Sequence, residues 1–197
     1  RVSETIRYLN PDGLIVSDPG VLMWVREHHP DIPIHISTQA NICSAKTVKF
    51  WQNAGAKLCV LAREVSHSEF KNIRKECPDI GLEIFVHGAM CMSYSGRCLL
   101  SNFVTGRPAN RGACAQLCRW KYDVILRERE SGLEMPIDED ARGAYIMNSR
   151  DLCLMPRLGE VLSANPDSLK IEGRNRSEYY VGSVVHAYRC ALDAYAR

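Results

Sequence analysis

Five cysteines are placed where they could act together: Cys91, Cys98, Cys114 and Cys118 within residues 87–122, and Cys153 further on in "NSRDLC". Six, fifteen, three and thirty-four residues separate successive members. A structural zinc site usually needs two close thiol pairs, and only Cys114 and Cys118 form one. An iron–sulfur cluster tolerates wider spacing because its thiolates bind separate irons, and nearby positive charge offsets the anionic assembly. Cluster, zinc and uncoordinated thiols are the three readings that spacing leaves open. The same segment carries Arg97, Arg107, Arg111, Arg119 and Lys121 but no Asp or Glu, a local +5 in a chain of formal net charge +2. Positive charge focused in this way suits phosphate or another anion; the alternative is a solvated basic loop. It would also lower a thiol pKa and so suit a cysteine nucleophile, with His87 the nearby base. Cys43, Cys59, Cys77 and Cys190 sit in apolar or helical patterns and read as inert packing residues.

The elements that must position these groups are legible as short branched apolar runs, each followed by a turn and a helical pattern. They are "GLIVS" (13–17), "PIHIS" (33–37), "KLCVL" (57–61), "LEIFVH" (82–87), "AYIMN" (144–148) and "SLKIE" (168–172). Strands alternating with helices predict an α/β fold with a parallel sheet and right-handed crossovers. Ser66 and Glu69 have capping-box spacing, and Pro19 suits a helix start. From about Ser177 a final helix places Val181, Val184, Val185, Tyr188, Leu192 and Tyr195 on a core-facing stripe. A closed (β/α)8 TIM-like barrel needs eight strands and about 250 residues. With 197 residues and about six βα units, opening on a helix in "SETIRYL", the chain reads as a barrel fragment lacking the first strands. An open doubly wound sheet is the alternative. The domain assignment is one partial barrel over 1–197, with a cysteine- and arginine-rich loop and hairpin-like insertion at 87–148, turning at Ser131-Gly132 after the fourth visible strand.

Three of the strands alternate apolar with polar residues: Ile34 and Ile36 with His35; Leu82, Ile84 and Val86 with Glu83, Phe85 and His87; Leu169 and Ile171 with Lys170 and Glu172. Period 2 puts each polar set on one face. Barrel interiors are normally filled by branched apolar residues, so charge there marks a ligand site at the C-terminal ends of the strands. The bland alternatives are a Lys170–Glu172 structural ion pair and hydrogen-bonded core histidines.

An odd count of nine cysteines, with no apolar leader and no run long enough to span a bilayer, argues against a secreted disulfide framework. A reducing, cytoplasmic setting without membrane association is the expectation. The first residue is Arg1 rather than methionine, which reads as a piece of a longer protein.

"HGAMCMSYSGRCLLSNFVTGRPANRGACAQLCRWKY", with "DPGVL", "HISTQAN", "YIMNSRDLC" and "SLKIEGRNRSEYYV", closely resembles the collagenase-like peptidase family U32, whose catalytic type was never assigned. Within it the chain is most similar to the branch associated with tRNA hydroxylation. That resemblance implies a (β/α)8 barrel, tRNA as partner, prephenate as possible co-substrate and 5-hydroxyuridine at the wobble position as product. Relatives that hydroxylate a ubiquinone precursor hold a 4Fe-4S cluster, and motif by motif their ligands fall on Cys91, Cys98, Cys114 and Cys153. Cys118 is then a spare that could replace Cys114, four residues away on a helix face.

On this reading Arg97, Arg107, Arg111, Arg119 and Lys121 would hold RNA phosphate, and Trp120 or Tyr122 would stack on a base. Gln39, Asn41, His87, Lys170, Glu172 and Arg174 would line a small-molecule pocket. His87, Lys170 and Glu172 are its candidate catalytic groups, and the Arg174 guanidinium suits a carboxylate. The competing functions are a peptidase, for which no local nucleophile–base or metal–water pattern exists, and a noncatalytic RNA-binding module with a structural metal.

Overall fold

The structure, a computed structural model, describes residues 2–91, 93–120, 125–136 and 151–197. The chain divides into two compact units, Arg1–Gly88 with Leu152–Arg197, and Ala89–Asp151.

In the first unit, helix α1 (Val2–Leu9) precedes β1 (Leu14–Val16), α2 (Pro19–His28), β2 (Ile34–Ile36), α3 (Ala45–Asn53), β3 (Leu58–Val60), α4 (His67–Glu76) and β4 (Gly81–Gly88). Its second chain segment adds β7 (Leu152–Cys153), α6 (Leu158–Ser163), β8 (Ser168–Ile171) and α7 (Glu178–Tyr195). Local sequence explains the boundaries. Asp18 caps α2 by accepting from Val21 N at 2.9 Å, with Pro19 at the first helical position. Ser66 and Glu69 form the expected capping box on α4, and the Ser177 hydroxyl caps α7.

The parallel pairings run β1-β2-β3-β4, and β8 lies parallel to β4 on its other side. The short β7 pairs antiparallel with the end of β4, setting His87 opposite Cys153 and Gly88 opposite Leu152. This is an α/β fold with a sheet rich in parallel strands. Among the described residues no pairing closes β8 onto β1. The predicted strand "AYIMN" lies outside the described residues.

One sheet face is apolar and covered. Ile34, Ile36, Cys59 and Leu82 pack with Leu22 and Val25 of α2, Val48 and Trp51 of α3, and Phe70 and Ile73 of α4. A second cluster joins Val86 to Leu158 and Val161 of α6 and Tyr188 of α7. The α7 stripe is narrower than its periodicity predicts, for Val185 and Tyr195 are 48% and 59% exposed. Val185 lies at the margin of the stripe, and Tyr195 is the last residue of the helix. The start of β8 is held to β4 by Asp167, whose carboxylate accepts from Leu82 N at 2.8 Å and pairs with the Arg74 guanidinium.

Tyr188 ties α7 to the sheet: its hydroxyl donates to Val86 O at 2.8 Å within the second cluster. Burial pushes its phenol up to about 12, from an ordinary 10.0. The buried neutral phenol therefore adds stability that is complete below pH 10 and is lost as pH rises toward 12. Tyr188→Phe is expected to cost about 1 kcal/mol at neutral pH and to flatten the fall in stability between those two values, checked by urea unfolding across an alkaline pH series.

The second unit contains α5 (Leu100–Thr105) and an antiparallel hairpin of β5 (Ile125–Arg127) and β6 (Glu134–Pro136). Gly132 takes a left-handed conformation, φ 70°, in the connecting turn, which is why the hairpin turns at Ser131-Gly132. Among the described residues no helix is long and apolar enough to cross a membrane.

Candidate functional site

In the first unit the other sheet face carries Glu83 and Lys170 of the polar set that period 2 predicts. Register aligns Ile15 with His35, and Phe85 with Lys170. The Lys170 ammonium donates to Glu83 Oε1 at 2.6 Å, and Ser168 Oγ donates to Glu83 Oε2 at 2.7 Å. The expected alternative, a Lys170–Glu172 ion pair, is thus corrected: the partner of Lys170 is Glu83 on the neighbouring strand. Glu172 lies past the end of β8, where its carboxylate accepts from Arg174 N at 3.0 Å in a local turn. Beside Lys170, the Arg63 guanidinium lies 3.8 Å from the centre of the Phe85 ring, a stacking that suits its planar cation.

His87 sits at the C-terminal end of β4 between two aromatic rings, Tyr180 at 6.0 Å and Tyr188 at 5.7 Å. Its Nδ1 is buried and meets no hydrogen-bond partner among the described residues. The same holds for Asn41 Oδ1, in a residue that ends the turn after β2 with φ 58°. Buried polar atoms are normally satisfied, so two orphans among the candidate pocket residues mark places where a ligand or water belongs. Gln39 lies in the same turn, its backbone N–H bonded to Ser37 Oγ at 3.2 Å, and Arg174 is exposed. Cys153 is exposed and lies opposite His87 in register.

The second unit holds the other four thiols. Ser101, 1% exposed, is its central tie: its hydroxyl donates to Arg107 O at 2.7 Å and accepts from Ala115 N at 2.9 Å. That pins the 113–115 segment carrying Cys114 to helix α5. Gln116 N donates to Cys114 Sγ at 3.3 Å, from a left-handed residue with φ 57°, and Ser95 Oγ donates to Cys91 Sγ at 3.6 Å. The Cys118 thiol is pushed up from its ordinary value mainly by burial; Arg119 opposes this, while Cys114, Cys91 and Cys98 add to it. Cys118, a spare on the sequence reading, therefore shares one electrostatic neighbourhood with the other three.

None of the nine cysteines is in a disulfide. Four thiols, with an N–H donor on Cys114 and an O–H donor on Cys91, suit an iron–sulfur cluster in donor type and number. They do not form a closed cage, because among the described residues no three His, Cys, Asp or Glu side chains are close enough to hold a metal ion.

The basic residues divide. Arg97 and Arg111 are exposed. Arg107 is exposed, while its Nε donates to Ala113 O at 3.0 Å. Arg119 is turned inward, pairing with Asp151 at 2.7 Å and donating to Met90 O at 3.1 Å, with 15% of its side chain exposed. The sequence assigned it to RNA phosphate; the structure gives it an internal role beside Cys91, because Asp151 supplies the anion that its own segment lacks. Trp120 is 50% exposed, while Lys121 and Tyr122 lie outside the described residues. Glu83, Arg63, Tyr180 and Ser101 are site residues that the sequence reading did not select. Glu83 shares the period of His87 and could have been found from it; the other three carry no periodic signal.

Fold and site together define an α/β protein with a polar sheet face and, in a separate inserted unit, a basic, thiol-rich segment. The profile of Peptidase family U32 matches residues 1–197, and the chain belongs to that family. It is 41% identical to tRNA hydroxylation protein P of Escherichia coli (strain K12), over 94% of this chain and 49% of that protein. It is 36% identical to the collagenase of Porphyromonas gingivalis (strain ATCC BAA-308 / W83), over 92% of this chain and 44% of that one. Identity is also 36% with the 23S rRNA 5-hydroxycytidine C2501 synthase of E. coli (strain K12), over 93% of this chain and 26% of the synthase. The chain thus spans half or less of the length of these relatives.

Proposed function

We propose that this chain is part of an RNA-modifying enzyme that hydroxylates tRNA, converting wobble uridine to 5-hydroxyuridine with prephenate as co-substrate. The observation that carries the reading is the gathering of Cys91, Cys98, Cys114 and Cys118 in a basic unit, in a chain whose relatives include proteins named for tRNA hydroxylation and rRNA 5-hydroxycytidine synthesis. In the whole protein the parallel strands would form part of a (β/α)8 barrel. Cys91, Cys98 and Cys114 would hold a 4Fe-4S cluster, with Cys153 as fourth ligand and Cys118 its alternative. Such a cluster supplies one-electron transfer or an open iron that can take a substrate oxygen.

The chain's own residues would bind and orient the reactants. Exposed Arg97, Arg107 and Arg111 meet phosphate and Trp120 stacks on an unpaired base. Arg174 takes a carboxylate, while Asn41 Oδ1 accepts one hydrogen bond from the bound ligand and His87 Nδ1 accepts or donates one, according to its tautomer. Lys170 is held in place by its ion pair with Glu83.

Mass spectrometry of tRNA nucleosides tests the reading. Cells lacking this protein, and any redundant route to the same nucleoside, are expected to lose 5-hydroxyuridine and to regain it with the full-length protein. Unchanged 5-hydroxyuridine would rule the reading out, and gelatin cleavage by the purified full-length protein would favour the peptidase reading that the collagenase relative suggests.

A further inference from the structure

Cys190 reads from the sequence as an inert packing residue, yet it is exposed on α7. One helical turn earlier, on the same face, stands His186, also exposed. The two side chains meet: Cys190 Sγ and His186 Nε2 share a hydrogen bond at 3.5 Å. Neither has a part in the proposed function, and α7 belongs to the first unit, whereas Cys91, Cys98, Cys114 and Cys118 belong to the second.

That separation is the one a tetrahedral metal ion requires of two ligands. Zinc holds sulfur at about 2.3 Å and imidazole nitrogen at about 2.0–2.1 Å, so a tetrahedral angle at the metal sets the two ligand atoms about 3.5–3.6 Å apart. The helix holds the pair ready at that span. On its inner side Tyr188 is buried and donates to Val86 O at 2.8 Å, and Val184, Ala191 and Leu192 pack against the second apolar cluster. The backbone carrying the pair is therefore already fixed, and binding need not order it. Among the described residues no third His, Cys, Asp or Glu completes a cluster; Asp193, three residues beyond Cys190, is paired with the Arg189 guanidinium. The chain thus supplies two ligands, and water fills the other positions. Thiolate and imidazole suit zinc and similar thiophilic cations, whereas magnesium and calcium take oxygen ligands.

We propose that His186 Nε2 and Cys190 Sγ form a two-residue chelating site for a thiophilic divalent cation of the zinc type. Binding forms one metal–nitrogen and one metal–sulfur bond and breaks the hydrogen bond between the two side chains. The thiol proton passes to solvent, so the ligand is the thiolate and no oxidant or reductant takes part.

Site-resolved alkylation of the full-length protein, purified without oxygen, tests this. Labelling of Cys190 by N-ethylmaleimide is followed by peptide mass spectrometry as free zinc is raised through the micromolar range, with magnesium as the control cation. Reading the one peptide keeps the other cysteines out of the result. A sulfur bonded to metal is a poor nucleophile, so zinc is expected to slow the labelling saturably, by roughly tenfold once about nine-tenths of the site is filled. Magnesium should leave the rate unchanged. In His186→Ala zinc should no longer slow the labelling, with thermal unfolding midpoints showing that the variant is folded; His186→Gln serves if it is not. A Cys190 that does not label in the metal-free protein, a rate that zinc leaves unchanged, equal protection by magnesium, or zinc protection that survives in a folded His186 variant would overturn the proposal. The readout involves neither RNA nor hydroxylation, so either result leaves the proposed function to its own experiment.

Discussion

Cys91→Ser, Cys98→Ser and Cys114→Ser are each expected to remove most of the iron and acid-labile sulfide from the full-length protein purified without oxygen. Each thiolate of a four-cysteine cluster holds a separate iron, so losing one exposes a corner of the cube to exchange and dissolution. Serine is close to cysteine in size, so the loss would come from the ligand atom more than from packing. The fourth position is where sequence and structure suggest different residues. Motif resemblance points to Cys153, which should then behave like the first three, while Cys118→Ser keeps its iron. The electrostatic neighbourhood points to Cys118, half-buried and interacting with Cys91, Cys98 and Cys114; iron lost from Cys118→Ser but retained in Cys153→Ser would assign the position to it. Wild-type protein that yields zinc, or no metal, would overturn the cluster reading.

Gly88→Ala is expected to destabilise the protein by about 3 to 5 kcal/mol, measured as a shift in the urea midpoint at unchanged slope. Gly88 ends β4 with φ 102°, a conformation that side chains rarely adopt. A Cβ there would stand 2.2 Å from Glu172 O and 3.0 Å from the Glu172 carbonyl carbon. Those are backbone atoms and cannot rotate away, so β4 and β8 would have to separate. They separate at a sensitive place. Glu172 N donates to His87 O at 2.9 Å, and the β4–β8 register already slips between Phe85 and His87. The variant should therefore also move His87 relative to Glu172 and Arg174, and heteronuclear spectra should show changes concentrated at those residues. A loss under about 1 kcal/mol would mean that the close approach is not maintained in solution.

How far the sequence can be read depends on the range of the interaction concerned. Helix starts at Pro19, Ser66 and Ser177 were legible because caps act over three residues. The apolar and polar faces of "PIHIS" and "LEIFVH" were legible because strand period is a local property of the backbone. Ile34, Ile36, Leu82 and Val86 are buried accordingly. The partner of Lys170 was not legible. Glu83 lies 87 residues away, and nothing local distinguishes it from Glu172, two residues off. The pairing of Arg119 with Asp151 was hidden for a similar reason. An acid-free segment suggests outward-facing charge, yet Asp151, 32 residues on, draws the guanidinium inward.

By itself, then, the sequence determined the element types, the polarity of each strand face, the thiol inventory and the family, since all of these reside in composition, period and motif. Only the tertiary structure decided which charges pair, that Cys118 interacts electrostatically with Cys91, Cys98 and Cys114, and that an apolar-walled cavity opens beside β4. Those outcomes depend on long-range closure of the chain. Charge, thiol and cavity interactions are set by distances of a few ångströms between residues far apart in sequence, and no local pattern encodes them.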